Sequence, residues 1–211
     1  MNTTQVKAAF VHKLAKFRSE EQATRTISLR FAIGRIVLLG LLLGLMSVAV
    51  GAPAARAQAL SEYKVKAAFL YNFAKFVEWP QDAFRAPDDP FTICVLGENP
   101  FGNALAEAVK GNTLNGRGFI ERHITNTQEA KACQILFISS SEHDQLRAIM
   151  KELTGASILT VADTRGSAQQ GSIVDFILQD NKVRFEFNTD AAERAQLKIS
   201  SKLLSLAKIV R

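Results

Sequence analysis

The sequence predicts an α/β fold: a three-layer, mostly parallel sheet with helices on both faces and a C-terminal antiparallel hairpin. Three observations predict it. The apolar runs at 91–97, 133–139 and 157–162 are nearly continuous rather than alternating, the pattern of strands buried on both faces. Helical stretches separate them, which gives the order β-α-β-(short α)-β-α-β. Residues 172–178 and 182–188 then flank Asp180-Asn181, a two-residue hairpin connection.

The chain of 211 residues is not one compositional block. Its first 57 residues carry eight Lys/Arg and two Asp/Glu, and the remaining 154 carry 18 of each sign. The net charge of +6 therefore belongs to the leader, and the neutral remainder argues against a nucleic-acid partner. The leader has the parts of a secretory signal: seven basic residues from Lys7 to Arg35, an apolar stretch at 36–50, and Ala55-Arg56-Ala57 as a cleavage site. Cleavage after Ala57 leaves 58–211 as a single exported domain, long enough to bury a core. The alternative is an uncleaved inner-membrane anchor at 36–55, with the domain on the same outer side. Within the leader, residues 6–17 match 65–76 at eight of twelve positions, an echo to which no function is assigned.

Residues 65–80 open the exported domain. Val65, Phe69, Phe73 and Phe76 recur at helical spacing, with Val77 beside them, and predict one apolar stripe. Ala67, Leu70 and Ala74 widen it. Ser61 or Glu62 starts this helix, and Pro80, just after the only tryptophan, Trp79, stops it. Residues 81–90 are a Pro/Asp-rich connection. After the first buried strand, Asn99-Pro100 opens a helix running to Lys110 and ended by Gly111. Residues 119–124 form a less apolar strand. A helix over 141–153, closed by Gly155, lies between the 133–139 and 157–162 strands. In the hairpin, Phe176 pairs with Phe185, Val174 with Phe187 and Leu178 with Val183, all on one face. The same register sets Asp175 opposite Glu186, an opposition to be offset by Arg184 close by, by solvent screening or by a cationic group on a partner. Helices at 190–195 and 200–210 end the chain.

Few motifs carry chemistry. Residues 139–144, Ser-Ser-Ser-Glu-His-Asp, hold every residue type of a hydrolytic triad. Triad members converge from separate segments, so the stretch reads as a helix cap. Residues 97–102 sit where phosphate loops sit but lack the Lys-Ser/Thr pair, and Glu98 repels phosphate. Residues 163–171 join the last parallel strand to the hairpin, a favoured binding position in open α/β sheets. Cys94 and Cys133 form a disulfide in an oxidising compartment, closing a loop worth about 4 kcal/mol, or else remain buried thiols. With only His123 and His143 in the exported part, nothing points to a metal, and no cofactor motif is present.

The opening helix with Trp79-Pro80, the strands at 91–97 and 133–139, the segment 158–164 and the 183–188…197–204 ending resemble, in this order, the YfiR family. The resemblance covers nearly all of 60–210. It implies a periplasmic α/β protein without catalytic activity, which represses a YfiN-type inner-membrane diguanylate cyclase by binding its periplasmic part. It further implies an outer-membrane lipoprotein that relieves repression, and cysteine oxidation that affects stability and repression. The chain departs from the family at two points. It carries one cysteine pair where the well-studied member has two, and Ser167 where an aromatic residue is common. The partner surface is expected on the loop and hairpin, at Arg165, Ser167, Asp175, Arg184 and Glu186, and a homodimer is left open. The alternative function is a periplasmic small-ligand-binding domain, with an anion at 99–102 or near Arg165.

Overall fold

A computed structural model describes residues 51–211, with side chains from Gln58 onward. The leader reading (the basic region, the 36–50 stretch, the 36–55 anchor and the 6–17 echo) lies outside the described residues. Among these, no helix is long and apolar enough to cross a membrane. Residues 57–211 form one compact unit.

Helix α1 (Gly51–Phe76) comes first. It begins upstream of the predicted Ser61 or Glu62, because Pro53 falls within its first turn and the alanine-rich residues after it offer no break. It ends at Phe76 rather than at Pro80. Strand β1 (Val77–Glu78) takes over, pairing antiparallel with β9 (Lys198–Ile199). Trp79 then stands edge-on to Phe91, at 4.9 Å, and its Nε1–H donates to the Gln134 carbonyl.

The main sheet has eight strands in the order β10-β8-β7-β6-β5-β2-β4-β3. Its parallel centre is β2 (Phe91–Leu96), β4 (Arg117–Ile124), β5 (Ile135–Ile138) and β6 (Leu159–Ala162), with β7 (Val174–Gln179) parallel to β6. Every residue of β2, β5 and β6 is buried, as the continuous apolar runs require. β8 (Lys182–Asn188) returns antiparallel to β7 in the predicted register, through Asp180 and Asn181 at φ 52° and 56°. Both turn residues are left-handed, the twist that a two-residue hairpin needs. The edge strands β3 (Thr113–Leu114) and β10 (Lys208–Val210) complete the sheet.

Helices cover both faces. On one, α1 packs with α2 (Ala104–Val109) and α5 (Thr189–Arg194) over Phe91, Ile93, Val95, Phe137 and Phe187. On the other, α3 (Thr127–Ala130) and α4 (Leu146–Glu152) cover Cys94, Leu96, Ile124, Leu136 and Ile138. The face of α1 differs from the predicted stripe. Val65 and Phe76 are 44% and 38% exposed, while Lys66, Ala67, Leu70, Phe73 and Ala74 are buried. The sheet takes the face with two alanines, which lets the helix backbone approach closely, and leaves Phe69 half-buried at its margin.

The predicted 200–210 helix is instead α6 (Ser201–Leu204) followed by β10, parallel to β8. Ile209 and Val210 are β-branched and find the free edge of β8 beside them. The predicted 141–153 helix divides into a tight 3-10 stretch, Ser140–Gln145, and α4.

Candidate partner-binding surface

The polar groups of the domain gather where β6 and β7 leave the sheet, around the 163–171 loop. On the α1 side, Asp163 accepts from the Tyr63 hydroxyl and from Lys66 Nζ, each at 2.6 Å. Lys66 is 3% exposed and also pairs with Glu62 at 2.5 Å. Its ammonium lies 4.5 Å from the Tyr63 ring centre. Burial, and then the hydrogen bond to the Asp163 carboxylate, push the Tyr63 phenol well above its usual range.

On the other face the loop is held by Asp175. Gly166 turns at φ +81°, and its N–H and that of Ser167 donate to Asp175 Oδ2 at 2.8 and 3.1 Å. The Ser167 and Ser172 hydroxyls bond to each other at 3.1 Å. Asp175 is fully buried, and its Oδ1 has no hydrogen-bond partner among the described residues. Burial pushes its carboxyl up to about 6; the Ser167 and Gly166 donors oppose the shift, and Glu186 across the hairpin adds to it. Glu186 moves the other way. Its hydrogen bond with Lys208, at 2.6 Å, holds it below the usual carboxylate range, and Gln169 donates to its second oxygen at 3.3 Å. The charge offsetting the Asp175–Glu186 opposition is therefore Lys208 of β10, not Arg184, which is exposed and opposes Ile177.

Of the five residues expected at the partner surface, the structure exposes Arg165 and Arg184 and buries Ser167, Asp175 and Glu186. The buried three shape the loop and hairpin from beneath. Sequence reasoning missed Tyr63, Lys66 and Lys208. A lysine in an amphipathic helix reads as solvated, and Lys208 belongs to a strand read as helix. A cleft of about 910 Å³ lies between the loop and β7, lined by Asp163, Arg165, Gln169, Asp175, Ile177 and Glu186 among others.

Asp175 makes stability depend on pH in a definable window. Its folded carboxyl titrates near 6, above the ordinary 3.8, so the fold binds this proton more tightly than the unfolded chain. The resulting stability is full below the unfolded value and is lost as pH rises from there through 6. Against an Asp175→Asn reference, the wild-type protein should gain roughly 2 kcal/mol between pH 7.5 and 4. Urea unfolding of both proteins across that range measures it, and parallel curves refute it.

The other candidate motifs are closed. Ser141 Oγ accepts from the Glu98 N–H at 3.0 Å and donates to Glu142, while His143 faces the Ser140 carbonyl and Asp144. A Cβ on Gly97, at φ +87°, would collide with the Ser141 hydroxyl, so the two loops pack directly together. Asn99 Oδ1 occupies the Phe101 N–H at 2.8 Å, and Phe101 fills the crevice between Tyr63 and Phe137. Neither a triad nor an open anion loop results. Among the described residues, no group of three His, Cys, Asp or Glu stands close enough to hold a metal ion. Cys94 and Cys133 are joined in a disulfide with their Cα atoms 5.9 Å apart, buried in the core under α3 and α4, with Cys133 Sγ 3.6 Å from the Glu129 carbonyl.

The domain is a largely parallel α/β sheet whose polar groups brace a loop and a projecting hairpin. The chain belongs to the YfiR/HmsC-like family, which it matches over residues 63–208. Solved structures similar to 57% of it include a conserved domain protein from Vibrio cholerae O1 biovar El Tor str. N16961, at 10% identity, 54% of that chain and TM-score 0.44. Others are the ABC domain in complex with L-Trp from Streptococcus pneumoniae (9%, 55%, 0.42) and the ligand-free, open CD0873, a substrate-binding protein with adhesive properties from Clostridium difficile (14%, 54%, 0.42). The chain spans about half the length of each.

Proposed function

We propose that this chain is an exported, non-enzymatic regulator that binds and represses the periplasmic part of an inner-membrane diguanylate cyclase. On this reading residues 1–57 are the export signal and 58–211 the mature periplasmic domain, and an outer-membrane lipoprotein relieves repression. Membership of the YfiR/HmsC-like family carries the proposal. The exposed Arg165 and Arg184, on a loop and hairpin braced from below, support the choice of surface. Deleting the gene should raise cellular cyclic-di-GMP, and the Arg165→Glu/Arg184→Glu double variant should raise it comparably while the purified variant keeps its urea midpoint. Unchanged cyclic-di-GMP in the deletion strain refutes the regulatory reading. An active double variant refutes the surface alone.

A further inference from the structure

The β7–β8 hairpin outruns the rest of the sheet. β6 meets β7 only through Val161–Val174 and Ala162–Asp175, and β10 meets β8 only from Glu186 to Asn188. Phe176–Gln179 and Lys182–Phe185 therefore project as a two-stranded ribbon with both edges open. The Asn188 N–H donates to the Ile173 carbonyl at 2.8 Å, so odd-numbered residues of β7 turn their backbone groups toward β8. Even-numbered residues turn theirs away. The Leu178 N–H and C=O thus face the cleft of about 910 Å³ between β7 and the 163–171 loop, where a continuation of β6 would lie.

The charges on this cleft are unequal in what they still need. Asp163 is paired with Lys66, Glu186 with Lys208, and Asp175 with two loop amides. Arg165 on the rim, and Lys182 and Arg184 on the ribbon, are exposed and have no ion pair among the described residues, although Arg165 helps to lower the Glu186 carboxyl; the one unpaired acid beside them is Asp180 at the hairpin turn. The balance of unpaired charge is positive, and the open groups along β7 are backbone donors and acceptors at strand spacing.

We infer that the cleft receives an extended, acidic segment of the partner protein, added as a strand along the inner edge of β7 beyond Asp175. The inference rests on the regulatory reading and specifies how its partner is held. Main-chain hydrogen bonds supply affinity in this mode, and an open, unprotected edge is otherwise a hazard that natural sheets avoid. Four residues, Phe176–Gln179, give a run of about 13 Å at strand rise, enough for three or four incoming residues. An acidic side chain near one end of the segment meets Arg165.

The test uses the full mature domain and, as probe, the purified periplasmic fragment of the organism's inner-membrane diguanylate cyclase. Leu178→Pro removes the inward N–H and leaves the β7–β8 ladder intact, because Leu178 donates nothing to β8. It should weaken binding at least tenfold. Val183→Pro, the equivalent change on the outer edge of β8, should leave affinity unchanged. Arg165→Glu should weaken binding most at low salt. In the wild-type complex the Leu178 amide should become protected from hydrogen exchange, a readout that stands even if Leu178→Pro fails to fold. If the fragment does not bind the wild-type domain, the regulatory reading fails. If it binds while Leu178→Pro is silent or its amide stays unprotected, strand addition is overturned and the regulatory reading survives. Greater or equal sensitivity at Val183 also overturns it.

Discussion

Phe73→Ala will destabilise the domain by about 3–5 kcal/mol, the cost of deleting a large aromatic side chain from a packed core. Phe73 is fully buried at the contact between α1 and the hairpin. Its ring lies 5.2 Å from Phe185, 5.9 Å from Phe176 and 6.0 Å from Phe69. Phe176 and Phe185 are opposed across the hairpin, so the ring bridges both strands where they leave the sheet. The neighbours cannot collapse into the space, because the two strands are fixed in register by their own ladder. Phe69→Ala, from a half-buried ring at the helix margin, should cost roughly half as much. Phe76→Ala should stay within about 1 kcal/mol, because Phe76 is 38% exposed. Urea unfolding ranks the three. Equal costs at Phe73 and Phe76 would mean that α1 packs on the predicted stripe after all.

That ranking marks where the sequence was legible and where it was not. The hairpin could be read to the residue, because alternation in two strands and Asp180-Asn181 between them admit one register. The central strands could be read because continuous apolar runs have few other uses. The face of α1 could not. Its apolar residues cover more than half the helix surface, and the close approach allowed by Ala67 and Ala74 decides which part meets the sheet. Strands β1, β3 and β9 are two residues each, too short for any periodic signal. Residues 200–210 carry Leu203-Leu204 and Ile209-Val210 at spacings that suit a helix, and only the free edge of β8 makes the second pair a strand. The same error hid Lys208. The opposition of Asp175 and Glu186 was visible from register alone, whereas the cation answering it came from a strand 22 residues away.

The second large effect concerns Lys66, the least legible residue of the site. Lys66→Met should cost about 3–5 kcal/mol, the penalty for breaking a buried ion pair by removing one partner. The Lys66 and Asp163 side chains are only 4% and 11% exposed, and without the ammonium Asp163 keeps the Tyr63 hydroxyl alone. Asp163→Asn should cost less than Lys66→Met, because Lys66 retains Glu62 at 2.5 Å. The double variant Lys66→Met/Asp163→Asn should recover most of the loss, since a neutral pair of similar volume carries no buried charge. Equilibrium unfolding of the four proteins gives the coupling directly, and additive costs would show that the pair is solvated. The consequence reaches the proposed partner surface. Asp163 is the first residue of the loop whose next turn, at Gly166 and Ser167, is held by Asp175. Loss of Lys66 frees one end of that loop while the other stays tied. Hydrogen exchange at the Gly166 and Ser167 amides should therefore quicken in Lys66→Met beyond what the drop in global stability accounts for. In the double variant it should return toward the wild-type rate. If the amides follow global stability alone, Lys66 serves the core and not the loop.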